Sequence, residues 1–126
     1  MASPSRFPPE IVEAIETGKI LGIKAGIAPH KVIGIWAVVV EGRVFVRSWS
    51  LKPRSWYRTF LVEPQGEMHV GEQAFPVRAV RTRSERLKDE VSRAYLEKYN
   101  TKGSIKYAQD LGGETSRATT TELVPL

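Results

Sequence analysis

A chain of 126 residues has room for one hydrophobic core, and its 41% hydrophobic content excludes wholesale disorder. It holds no cysteine, which excludes disulfides, thiolate zinc sites and a thiol nucleophile. The formal net charge of +5 favours anionic partners without choosing among nucleic acid, phosphate groups and acidic membranes.

The first expected element is a helix. Pro8-Pro9 before Glu10 suits a helix start, because proline lacks the N–H that the first turn leaves unpaired. Ile11, Val12 and Ile15 then form a short apolar stripe, with Gly18 as the stop. Residues 1–9 show no charged-then-apolar signal pattern, so a cytoplasmic location is expected.

Strand-like segments follow. Ile20 to Ile27 is β-capable, though weakened by Gly22 and Gly26. Lys31 to Val40 and Arg43 to Trp49 flank Glu41-Gly42, a two-residue hairpin turn in which glycine supplies positive φ. The longest apolar run, Ile33 to Val40, falls far short of the roughly 20 residues of a membrane-spanning helix. It suits a strand buried on both faces. Met68 to Val70 and Ala74 to Val80 predict a second hairpin around Gly71-Glu72-Gln73.

Thr82-Arg83-Ser84-Glu85 matches a capping box, and Leu87, Val91, Ala94, Tyr95 and Tyr99 recur at helical spacing. Ser104 to Leu111 predicts another helix, stopped by Gly112-Gly113, and the threonine-rich Arg117 to Val124 predicts a last strand. Hairpins with helices outside them make the expected class α+β, around a small barrel or strongly curled sheet.

The segment from Arg43 to Arg58 holds Arg43, Arg47, Lys52, Arg54 and Arg58 and no carboxylate. Strand alternation puts Val44, Val46 and Ser48 on one face, an ordinary core face, and Arg43, Phe45, Arg47 and Trp49 on the other. Rings mixed with guanidinium groups are typical of an interface with a ligand or another subunit. The loop that follows repeats the mixture with Lys52, Arg54, Ser55, Trp56 and Tyr57. Its cations and hydroxyls suit phosphate, its rings suit a flat ligand, and Ser55 can cap a helical turn begun at Trp56. The plainer alternative is cation–π dressing of an exposed surface.

Other candidates favour plain readings. His30 and His69 lack metal-site spacing, and no metal site is expected. The run Gly112 to Ser116 reads as a helix stop and turn rather than a phosphate loop. Glu85, Asp89, Glu90 and Glu97 read as a solvated helix face, Tyr95 and Tyr99 as core packing.

Val44-Phe45-Val46-Arg47-Ser48-Trp49, then Trp56-Tyr57-Arg58, Val70-Gly71 and Ala94-Tyr95-x-x-Lys98-Tyr99, resemble a small bacterial family of unknown function with a split β-barrel. That family is similar to the pyridoxamine-phosphate-oxidase-like flavin-binding proteins. Related deazaflavin-dependent nitroreductases carry a strand-end serine, matched by Ser48, and a Trp-Tyr pair, matched by Trp56-Tyr57. Pro53 lies one position early, Thr59-Phe60 replace Asn-Leu, and the oxidases' Arg-x-x-x-Leu-Lys clamp does not occur.

The resemblance implies an antiparallel split β-barrel with short peripheral helices in a single domain, 1–126. Residues 1–19 would form the N-terminal helix and arm, 20–82 the barrel strands, 83–112 the helices and 114–126 the final strand. It implies a homodimer holding FMN or a deazaflavin, away from any membrane, as an oxidoreductase whose cofactor carries the hydride. Arg47, Ser48, Lys52, Arg54 and Ser55 would meet the phosphate, and Trp49, Trp56 and Tyr57 the ring or its wall. A non-catalytic module binding the same kind of planar anion is the second reading, and nucleic-acid binding, resting on charge and aromatics alone, is the third.

Overall fold

Proline opens the first helix and glycine closes it, as the sequence predicts: α1 spans Pro9–Thr17, with Gly18 as its C-cap and Ile11 and Ile15 buried. The structure, a computed structural model, describes residues 6–26, 31–49 and 55–126. Within them lie strands β1 (Leu21–Ala25), β2 (Ile33–Ile35), β3 (Ala37–Val40), β4 (Arg43–Val46), β5 (Gln65–Val70), β6 (Gln73–Arg81) and β7 (Thr121–Pro125). The remaining helices are α2 (Trp56–Val62), α3 (Glu85–Lys98), α4 (Ile105–Leu111) and α5 (Glu114–Arg117). The α+β class is as expected. No described helix is long and apolar enough to cross a membrane.

Every strand pairing is antiparallel, in the order β2-β1-β5-β6-β7-β4-β3. The two strands at the ends of that order, β2 and β3, are neighbours in the chain, with only Trp36 between them. One residue thus ties the two edges together, and the sheet curls into a nearly closed barrel. The apolar run expected to be one strand is therefore two. Both halves need apolar side chains, so the hydrophobic pattern runs through the corner without a break.

The β3–β4 turn places both Glu41 (φ 55°) and Gly42 (φ 73°) in the left-handed region, the type I′ arrangement that follows the natural twist of paired strands. At the β5–β6 turn only Gly71 has positive φ, 60°.

Register sorts the side chains into two cores. Ala37, Val44, Val46, Val77 and Leu123 point inward with Ile23 and Met68, closed off by Ile11 and Ile15 of α1 and Phe60 of α2. On the outer face of β3 and β4, Val38, Val40 and Phe45 pack under Leu87, Val91, Tyr95 and Tyr99 from α3 and Ala108 and Leu111 from α4. The start of α3 differs from the capping-box reading. Ser84 is the N-cap, its hydroxyl accepting from Leu87 N at 3.2 Å. Thr82 is kept out of that role because its N–H donates to Thr120 O, extending the β6–β7 pairing past Arg81.

Candidate functional site

The acid-free segment leaves the sheet where β4 ends, and its side chains there divide between the two faces. Arg47 is turned inward beneath the helices and is 1% exposed. Its Nε donates to Thr120 Oγ1 (2.8 Å), Nη1 to Ser92 Oγ (2.7 Å) and Leu111 O (2.8 Å), and Nη2 to Lys88 O (2.8 Å). All four acceptors are neutral, so the charge is solvated by dipoles rather than paired. Burial lowers its pKa to about 10, which still leaves it protonated at neutral pH. Four of the five guanidinium N–H groups are thus engaged, and Arg47 joins β4 to α3, α4 and the entry to β7. Arg43, on the same face, grips Glu122 with two bonds of 2.7 and 3.0 Å and lies 5.5 Å from the Phe45 ring centre.

Beside Arg47, Ser48 is buried and its N–H donates to Thr119 Oγ1 (2.8 Å). Thr119, Thr120 and Thr121 form a buried belt whose hydroxyls donate to the carbonyls of Ser116, Arg117 and Thr119. Thr82, also buried, has an Oγ1 that meets no partner among the described residues. Next to this belt, Tyr57, Phe60, Leu61, Ala79, Arg81 and Thr121 line a small cavity of about 30 Å³. That is room for roughly one water, not for a ring system.

Trp49 lies farther out and is 47% exposed. Its ring meets Trp36 edge-on (centroids 5.3 Å apart, 70° between planes) and Tyr107 of α4 (6.4 Å, 85°). Trp36 in turn lies flat on Tyr99, 3.9 Å away and 2° from parallel. Tyr107 is 54% exposed, so two adjoining rings present open surface while Trp36 and Tyr99 fix them from below. The support is rigid. Tyr95 Oη accepts from Arg47 N (3.0 Å) and donates to Trp36 O (2.9 Å), and Tyr99 Oη donates to Lys19 O (2.6 Å). Burial raises the pKa of both phenols, that of Tyr99 to about 12. They pack the core, as the sequence reading had it.

Farther along the segment, Lys52 and Arg54 lie outside the described residues. Ser55 does cap α2, its hydroxyl accepting from Arg58 N at 3.3 Å. Trp56 packs against the barrel core and touches Tyr57 and Phe60, and Tyr57 is buried at the small cavity. The ring contacts of Trp49 and Trp56 thus belong to separate clusters. His69 pairs with Glu67 at 3.3 Å, and His30 is outside the described residues. No cluster of potential metal ligands occurs among the described residues.

Sequence reasoning missed Trp36 and Tyr107. The first was hidden in the apolar run, the second on a short helix read only for its ends. The threonine belt was visible only as strand propensity, and Arg81 stood outside the acid-free segment. Gly112 closes α4 as the expected helix stop, but the turn expected after it is α5, so the last strand starts at Thr121 rather than at Arg117, which ends α5 and bonds Glu85 and Asp89 of α3 at 2.6 and 2.7 Å.

The profile of a bacterial family described as uncharacterized protein conserved in bacteria (DUF2255) matches residues 12–123, and the chain belongs to that family. Among solved structures it is similar to the crystal structure of the conserved hypothetical protein Rv2991 from Mycobacterium tuberculosis. The TM-score is 0.61 at 11% identity, over 99% of this chain and 83% of that one, a likeness of fold. No curated protein matches.

Proposed function

We propose that this family member binds a planar anion, FMN or a deazaflavin, against the aromatic surface where β4 leaves the barrel, and serves as an oxidoreductase. The observation that carries this reading is the pair of half-exposed rings, Trp49 and Tyr107, held from behind by Trp36. Exposed flat rings gain most from a flat partner, which removes their apolar area from water and stacks on their faces. Exposed Lys106 precedes Tyr107 on α4 and exposed Lys102 lies just before that helix, while Lys52 and Arg54 follow Trp49 in the sequence.

The residues present fit such a group as a surface ligand, because the cavity near Tyr57, about 30 Å³, is too small for its ring. Stacking would fall to Trp49 and Tyr107, and the phosphate to Lys52, Arg54 and Lys106. Arg47, engaged within the protein, would hold the platform's frame rather than the ligand. The bound flavin would supply hydride transfer, and the chain would orient it and screen one face from water. A second copy, in the homodimer implied by the resemblance, would cover the other face.

That engagement of Arg47 also favours the second reading, a binding module without turnover, since it leaves phosphate to surface cations. Titration with FMN and with a deazaflavin, followed by fluorescence, tests binding, and consumption of a reduced nicotinamide or reduced deazaflavin separates enzyme from carrier. Trp49→Ala should weaken FMN about tenfold, the equivalent of roughly 1.4 kcal/mol of stacking. If neither ligand quenches, or the variant binds FMN as tightly as the parent, the reading fails. Steep salt dependence with single-stranded nucleic acid would instead support the third reading.

A further inference from the structure

Trp49 follows the end of β4; at the other end of that strand, an open cleft of about 290 Å³ is lined by Arg6, Arg43, Glu122 and Val124. Arg43 is held there by Glu122 at 2.7 and 3.0 Å and lies against the Phe45 ring. Arg6 arrives from the arm before α1, its Nη1 over the β3–β4 turn, 3.2 Å from where Gly42 would carry a Cβ. We infer that this cleft is a second binding site, and that it takes a small phosphate monoester as its dianion.

Strand register brings a third guanidinium to the cleft. Arg78 of β6 is the cross-strand partner of Val124, so their side chains share a face, and β4 with Arg43 flanks β7 on its other side. Arg6 and Arg78 are exposed, and neither makes a hydrogen bond or ion pair among the described residues. Arg43 gives Glu122 two of its five N–H groups and keeps three. Glu41, in the adjoining turn, is engaged by Arg86 at 2.6 Å. Three guanidinium groups therefore stand against the one carboxylate of Glu122, a local charge of +2.

That balance selects the ligand class. A phosphate monoester near neutral pH carries close to two negative charges on three acceptor oxygens, matching both the charge and the number of forks. A carboxylate brings half the charge and two oxygens, and leaves one fork unused. Val124, between Arg78 on one side and Arg43 on the other, gives the alkyl stem of the ester an apolar rest.

Titration of the full, 15N-labelled chain with propyl phosphate, inorganic phosphate and butyrate tests this, at about pH 7.5, where the ester is a dianion. Propyl phosphate should give saturable shifts at the Gly42 N–H and the Arg6 and Arg43 Nε–H signals, with inorganic phosphate weaker because it covers no part of Val124. Butyrate should bind at least about tenfold more weakly, and Arg6→Gln and Arg78→Gln should each weaken propyl phosphate about tenfold. Shifts that do not saturate, butyrate as tight as propyl phosphate, or shifts centred on the Trp49 indole instead of Gly42 overturn the inference. So does parent-like binding in both variants. Should either variant not fold, the preference of the parent chain for propyl phosphate over butyrate at Gly42 decides alone.

Discussion

Arg47 shows how a residue can be chemically conspicuous for an internal reason. In sequence it stands among rings and other cations, and in the structure its guanidinium solvates itself with two hydroxyls and two carbonyls. Arg47→Ala would strand those acceptors and open a void, at a cost of about 3–4 kcal/mol, visible as a large drop in the urea midpoint. A loss under about 1 kcal/mol would show that the frame does not depend on it. Tyr99 gives a prediction in pH. Its folded pKa, about 12, lies above the ordinary value of 10.0, so its contribution is complete below pH 10 and is lost as pH climbs toward 12. Tyr99→Phe should flatten the alkaline fall in melting temperature over that window, and an unchanged slope would count against the burial argument.

Among the elements, α3 is the one whose start can be tested most directly. Ser84→Ala should cost about 1 kcal/mol by removing the cap on Leu87 N, whereas Thr82→Val should be neutral or mildly stabilising because its hydroxyl meets no partner. If Thr82→Val is the more damaging change, the cap assignment is wrong. Local patterns made most elements legible: Pro8-Pro9 and Gly18 around α1, Glu41-Gly42 between β3 and β4, the Leu87–Val91–Tyr95 spacing of α3. What stayed hidden depends on partners distant in sequence. Period-two alternation separates Arg47 from Ser48 but does not say that a helix covers the Arg47 side. Trp49 was legible as a candidate ring, whereas Trp36 and Tyr107, which hold it, come from 13 positions before and 58 after.

For the whole molecule, a small barrel or curled sheet of the α+β class followed from hairpins with helices outside them, while the way its two edges join did not, because the Trp36 corner leaves no mark on the hydrophobic pattern. Membership of an uncharacterised bacterial family and the fold shared with Rv2991 set the architecture, and the aromatic surface gives it a candidate purpose. The same strand order has a consequence for dissection. β7 is hydrogen-bonded to β6 on one side and β4 on the other. Without residues 121–125 the sheet parts into a four-stranded ribbon, β2-β1-β5-β6, and a lone β3–β4 hairpin. A chain cut after Thr120 should therefore lose its cooperative melt, and a synthetic peptide of the missing piece should restore it in trans. The architecture would then behave as a two-part reporter scaffold, switched on by its own keystone.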